Sequence, residues 1–343
     1  MTCKERFYCA VNRESVDRPA IWTGLPVPDS LPGLFEYFKV SNETEYRLKV
    51  NDDIFPVELP YHSPAGNAIY TALNFAKGND GLDDFHRTLT APGFFEGFTD
   101  PAKVDDFEWP DPSRYIDPAE CMAVVNAVPD DKAVLAAVWS AHFQDACAAF
   151  GMENAMITMM MDPEMFDVVI NRITDFYLKA NEIFYKSVGG KVDVVLIGND
   201  FGSQQSLMLS PEMLRAHVFN GTKKLVDQAH SFGYKVMHHS CGSIYQIIPD
   251  LIEMGVDIIH PLQALADGMG AEDINEKFGG QVSFCGALDA QNLLVNGTAE
   301  DVINRVKELK TLFPTGLIIS PSHEAVLPDI DPANIEAIHS GLL

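Results

Sequence analysis

From about residue 130 onward, short apolar runs alternate with longer stretches of helical periodicity. Ala133–Trp139 (AVLAAVW) is an unbroken apolar run of strand length, and a helical stretch follows from near Phe143. Asp162-Pro163-Glu164 then reads as a helix start, with a capping acid, proline at the first helical position and an acid in the first turn. Phe166, Val169, Ile170, Ile173, Phe176, Tyr177, Ala180, Ile183 and Phe184 follow on one helical face. Ser210-Pro211-Glu212, Thr298-x-x-Asp301 and Asp331-Pro332 are further helix starts of the same kind.

Between these helices lie strand patterns at residues 192–197 (VDVVLI), 234–237, 257–260, 282–284 and 317–319. Helices are expected at residues 243–254, restarted near Pro249, at 271–278 and at 298–313. Strand and helix therefore recur at least five times in about 210 residues, which predicts a parallel sheet. Strands this short, apolar and β-branched are buried on both faces. No G-x-G-x-x-G follows an early strand, so a dinucleotide-binding open sheet loses weight against a (β/α)8 barrel. Residues 20–23 (AIWT) read as the first strand. Residues 77–99, rich in Gly, Asp and Phe, and 100–117, with Pro101, Pro110, Pro112 and many acids, read as irregular excursions from one domain of residues 1–343.

In a parallel barrel every strand's carboxyl end converges on one mouth, where such folds carry their chemistry. The polar residues obey that rule. Asn199 and Asp200 follow one strand, His239 and Cys241 the next, His260 and Gln263 the third, Cys285 the fourth and His323 the fifth. His217 and His230 sit on helix faces and read as surface histidines. His239 and Cys241 are two apart, so on extended backbone their side chains share one side. Imidazole and thiolate are zinc ligands, and Cys285 or His323 is a candidate third ligand. Asp200 is either a working carboxylate or a loop cap. Trp22 and Trp139 end two strands and either line a pocket or pack the core. Met159-Met160-Met161 is expected to be adaptable core.

Charge changes the picture of partners. Lys plus Arg number 24 against 49 Asp plus Glu, a formal net charge of −25. That field repels nucleic acid and anionic membrane surfaces, and a polyanionic substrate would need a local basic pocket. Six cysteines are too sparse for a disulfide framework. No apolar run reaches the roughly 18 residues of a membrane span and no signal peptide is evident, so the cytoplasm is expected.

From Val192 to the C-terminus the chain resembles the uroporphyrinogen decarboxylase superfamily. The resemblance lies in Gly198-Asn199-Asp200-x-Gly202-Ser203-Gln204, Ser210-Pro211-Glu212-Met213 and His239-Ser240-Cys241-Gly242-Ser243-Ile244. It continues in Gly255-Val256-Asp257-Ile258, Gly286-Ala287-Leu288-Asp289-Ala290-Gln291 and Ser320-Pro321-Ser322-His323. The amino-terminal half matches loosely, through Arg18-Pro19-Ala20-Ile21-Trp22 and the strand ending at Trp139. The resemblance implies a (β/α)8 barrel and two chemistries. Decarboxylases of the family carry an Arg-containing segment after the first strand. Here residues 22–30 hold no Arg or Lys, so a polycarboxylate lacks its clamp.

The other branch moves a methyl group between a corrinoid, usually on a partner protein, and a thiol. Its zinc is held by an H-x-C pair, matched by His239 and Cys241, and by a later Cys that falls near Ser322-His323, where this chain has none. His323 or Cys285 is then the stand-in. The branch implies a thiol held as thiolate on zinc, with methyl-corrinoid as co-substrate. Asp200 would orient the substrate or an imidazole, Trp22, Trp139, Asn199 and Gln263 would surround it, and Asp200, His239 and His323 would be the catalytic groups. The alternatives are a metal-independent decarboxylase or lyase acting on a small carboxylate through Asp200 and His323, and a corrinoid- or tetrapyrrole-binding barrel without turnover.

Overall fold

A computed structural model describes residues 1–76 and 88–342. Eight strands make one parallel sheet: β1 Ala20–Ile21, β2 Ile54–Glu58, β3 Ala133–Trp139, β4 Val194–Gly198, β5 Lys235–His239, β6 Ile258–Leu262, β7 Ser283–Leu288 and β8 Leu317–Pro321. They pair in the order β1-β8-β7-β6-β5-β4-β3-β2, a barrel closed everywhere except between β1 and β2. The alternation of the sequence therefore produced the expected (β/α)8 barrel. β2 is the strand that escaped the sequence reading. Pro56 sits in its middle and cannot donate to a ladder. The position tolerates it because, among the described residues, β2 pairs with β3 alone and has a free edge toward the seam.

Charge closes that seam. Asp53, which immediately precedes β2, is fully buried and accepts the Ile21 N–H at 2.9 Å, while its own N–H donates to the Ile21 carbonyl at 3.0 Å. Arg6 Nη1 donates to Asp53 at 2.6 Å and Arg18 Nη1 at 2.7 Å. Asp52 takes the neighbouring rung, accepting the Thr23 N–H at 2.9 Å and the Thr23 hydroxyl at 2.7 Å.

Strand alternation sorts the core into two layers. Ala20, Ile54, Leu135, Leu196, Met237, Ile258, Cys285 and Ile318 point inward, and Phe7 and Ala10 of the helix Cys3–Asn12 plug the floor beneath them. The intervening residues, such as Val195, Val236 and Ile319, pack outward against the helices. The helix Pro163–Val188 buries the predicted stripe through Phe166, Val169, Ile173, Tyr177 and Phe184. Thr298 makes the predicted capping box with Asp301, and Asp331 caps the last helix. Of the three consecutive methionines only Met159 is core; Met160 and Met161 face solvent, because the helix Met152–Met161 turns them away.

The expected excursion at 77–99 lies partly outside the described residues. Its remainder, with 100–117, is irregular but not loose. Phe95 is fully buried, and Phe75, Phe94, Phe107 and Trp109 surround it with ring centroids 5.0–6.3 Å away. Among the described residues no helix is long and apolar enough to cross a membrane.

Asp53→Ala strips two guanidinium groups of a buried partner. Breaking such a pair costs about 3–5 kcal/mol. A lower denaturant midpoint with an unchanged slope is the expected result. A wild-type midpoint would show that the seam does not depend on this charge.

Candidate functional site

β5 explains which histidine of the His238-His239 pair reaches the mouth. Met237 points into the barrel, so His239, two residues on, does too, and Cys241 continues the same side. His238 points outward and stacks flat on Phe201 at 5.7 Å and 17°. Burial and the neighbouring His239 and His142 push His238 down to about 3, so it is a neutral packing ring. Close approach of β4 is possible because residue 198 is glycine. A Cβ there would stand 2.4 Å from the His239 carbonyl oxygen and 2.5 Å from its Cβ.

His239 is the hub. Its Nε2 lies 3.2 Å from Asp200 Oδ1 and 3.4 Å from Cys241 Sγ. Its Nδ1 shares a hydrogen bond with His260 Nδ1 at 3.1 Å and lies 3.6 Å from Glu324 Oε2. Asp200 Oδ1 also accepts the Cys241 N–H at 2.9 Å, and Asp200 Oδ2 accepts from Gln144 Nε2 at 3.2 Å. One carboxylate thus fixes both His239 and the Cys241 backbone. Burial opposes ionisation of Asp200, but the His239 and Cys241 hydrogen bonds outweigh it and hold the carboxyl at about 2. Burial likewise opposes charge on His239, yet Glu324, Asp200 and Cys241 raise it well above its ordinary value. Burial, with His239 and His323, pushes His260 well below its own. His323 is raised by Cys241 despite burial, with Glu324 adding to the rise.

Two donor sets meet at Cys241. Asp200, His239 and Cys241 each offer one atom, all within 4.8 Å of one another, and so do Cys241, His323 and Glu324. Zinc bound at about 2.0–2.3 Å to O, N and S donors holds its tetrahedral ligand atoms about 3.3–3.8 Å apart. The observed 3.2 and 3.4 Å separations suit it, as does the mixture of thiol, imidazole and carboxylate. Glu324 is the member that sequence reading missed. Its signal was its place directly after His323, hidden among 49 acidic residues.

Other expected residues lie elsewhere. Cys285 belongs to neither donor set; it is fully buried in the barrel interior, where burial pushes its thiol far up. The physical reason is strand length: β7 runs on to Leu288, so Cys285 is mid-strand rather than at the mouth. Trp22 is also fully buried in that interior layer, 5.2 Å from the His260 ring. Asn199 is buried behind the mouth, accepting the Phe143 N–H at 2.7 Å and the Gln144 N–H at 3.3 Å. It thereby anchors the helix His142–Phe150 that carries Gln144. Gln263 is buried too and accepts the Gly242 N–H at 2.5 Å, holding the loop after Cys241. His217 and His230 pair with Asp167 and Asp257 on helix faces, as expected.

Trp139 does face the mouth. Its ring is 6.0 Å from that of His239, nearly perpendicular, and it lines a cavity of about 480 Å³ with Asp200, His239 and Glu324. Trp139 and Ser140 both take left-handed backbone, φ 52° and 55°, a costly conformation for such residues. Ser140 is held there by burial and by the Asn181 amide, which donates to its hydroxyl at 3.0 Å.

The architecture is that of a (β/α)8 barrel protein with a metal-competent polar mouth. The chain belongs to the uroporphyrinogen decarboxylase (URO-D) family, whose model matches residues 84–340. It is 24% identical over 210 residues to a methylated-thiol–coenzyme M methyltransferase of Methanosarcina mazei. That match covers 60% of this chain but only 53% of the relative, about half its length. A solved methyltransferase structure from Methanosarcina mazei shares the fold over 99% of this chain and 98% of its own, with TM-score 0.69 at 16% identity.

Asn199→Ala leaves the Phe143 and Gln144 N–H groups without their acceptor. It is expected to cost about 1–3 kcal/mol of stability in denaturant melts. An unchanged melt would show that the helix is anchored by other contacts.

Proposed function

We propose that this chain is a methyltransferase that moves a methyl group between a corrinoid carried by a partner protein and a small thiol, with zinc at the barrel mouth. The observation that carries the reading is the donor set of Asp200, His239 and Cys241, gathered within 4.8 Å at the one place where a parallel barrel does chemistry. Its support from relatives is the family match and the similarity to a methylated-thiol–coenzyme M methyltransferase.

His239 and Cys241 would hold the zinc, with Asp200 on one side and His323 and Glu324 on the other. Zinc bound there would keep a substrate sulfur as thiolate near neutral pH. The protein's own groups do the positioning. Asp200 meets His239 at Nε2, the nitrogen that would face the zinc, and fixes the Cys241 backbone through its N–H. His260 fixes the opposite ring nitrogen by a hydrogen bond, and Glu324 lies 3.6 Å from it. Gln144 holds the second oxygen of Asp200, and Trp139 lines the cavity beside the His239 ring. The methyl-corrinoid is the co-substrate, and transfer in either direction is compatible with this arrangement. The cytoplasm suits the reading, because a reducing compartment keeps Cys241 a free thiol. A cavity wall with no Lys or Arg among its described residues gives no support to a lyase acting on a carboxylate.

The test is metal content of protein purified without added metal. Near-stoichiometric zinc in wild type and in Cys285→Ala, lost in Cys241→Ala and His239→Ala, is expected. Zinc-loaded wild type should then consume methylcobalamin in the presence of a thiol. Absence of zinc in wild type, even after incubation with the metal, would overturn the reading.

A further inference from the structure

The cavity beside His239 has an unusual electrostatic composition. Four carboxylates line it, those of Glu58, Asp145, Asp200 and Glu324, and none of its described lining residues is Lys or Arg. Asp200 and Glu324 face the His239 ring and are partly answered by it. Glu58 and Asp145, on the β2–β3 side of the mouth, are not. Asp145 has the neutral Tyr177 hydroxyl, donating at 2.5 Å, as the hydrogen-bond partner of its carboxylate. Glu58 makes no ion pair among the described residues. The cation whose charge reaches it, Arg47, is engaged with Glu43 at 2.5 Å and with the Gly24 carbonyl at 3.2 Å.

Desolvation raises the half-buried Asp145 to about 7, and desolvation with the nearby Glu43 raises Glu58, whose side chain stands exposed at the rim, so a cation arriving beside them would favour the ionised form of both. Two aromatic rings, Trp139 and Tyr70, line the same cavity, and such rings attract cations as carboxylates do. A substrate bearing a sulfonate or carboxylate would find its negative end, away from His239, beside Glu58 and Asp145 with no Lys or Arg among the described lining residues to receive it. A substrate bearing an ammonium group would supply the charge that the cavity lacks.

We propose that the thiol taken by this site carries a positive charge, as a small aminothiol does, with its sulfur at His239 and Cys241 and its cationic end against Asp145 and Glu58. The inference rests on the methyl-transfer reading and names its substrate class. In the transfer, the thiol loses its proton to solvent and its sulfur lone pair forms the new S–CH3 bond. The Co–C bond of the methyl-corrinoid breaks with its electron pair left on cobalt, which passes from Co(III) to Co(I). The ammonium group takes no part in that exchange, so it can serve purely as a handle.

Three two-carbon thiols with cationic, neutral and anionic terminal groups test the proposal. They are 2-aminoethanethiol, 2-mercaptoethanol and 2-mercaptoethanesulfonate, each methylated by methylcobalamin with zinc-loaded wild-type protein. The aminothiol is expected to exceed the sulfonate in kcat/KM by at least about tenfold, with the neutral thiol between them. Asp145→Asn and Glu58→Gln are expected to raise KM for the aminothiol and to lower it for the sulfonate, opposite shifts that a general loss of folding does not produce. Equal rates, or a preference for the sulfonate, would overturn the inference while leaving methyl transfer standing. If none of the three is methylated, the methyl-transfer reading falls, and titration calorimetry with the same thiols decides the charge preference by itself. Binding of the aminothiol without the sulfonate would keep it, and any other pattern would overturn it.

Discussion

A barrel whose first two strands do not share a ladder must be closed by something else, and here that is the pair Asp52 and Asp53. Asp53 is fully buried between two guanidinium groups while also accepting a backbone N–H from β1. Such a group is stable only because every lone pair is answered. The consequences run upward. Fixing β1 against β2 fixes the segment that follows β1, where Leu25–Pro26 pairs in parallel with Ala325–Val326. That pairing sets the loop carrying His323 and Glu324, half of the donors around Cys241. The floor of the barrel and the chemistry at its mouth are thus linked through one closure.

The mouth itself is built on buried supporting residues. Asn199 anchors the helix whose Gln144 reaches Asp200, Gln263 holds the loop after Cys241, and His260 meets the His239 ring. Convergence of strand ends brings polar residues together, but the distances of 3.2 and 3.4 Å around His239 depend on these supports and on a missing side chain at Gly198.

Much of this was legible in the chain. Strands buried on both faces announce themselves as apolar runs, and helix starts carried their caps, so the barrel and the convergence of Asp200, His239 and Cys241 could be read directly. What escaped did so for identifiable reasons. β2 contains Pro56, which argues against a strand unless the strand is known to lie at an edge. Cys285 and Trp22 depend on how far along a strand a residue sits, and one or two residues of error move a side chain from the mouth to the interior. Glu324 is one acid in a chain full of them, and composition that rich in carboxylates hides the few that are placed. The same excess proved informative in a different way. The global charge implied that a polyanionic substrate would need a local basic pocket, and the cavity is instead lined by four carboxylates.

The adjacent histidines of β5 carry one more lesson. His239 works through its nitrogens, whereas both nitrogens of His238 are buried without partners among the described residues and its flat ring packs against Phe201. The two identical letters therefore convey unequal information. In any chain built on this plan, a phenylalanine or tyrosine at the first position would preserve the meaning of the pair, while a change at the second would erase it. The vocabulary of the site is thus shorter than its motif suggests.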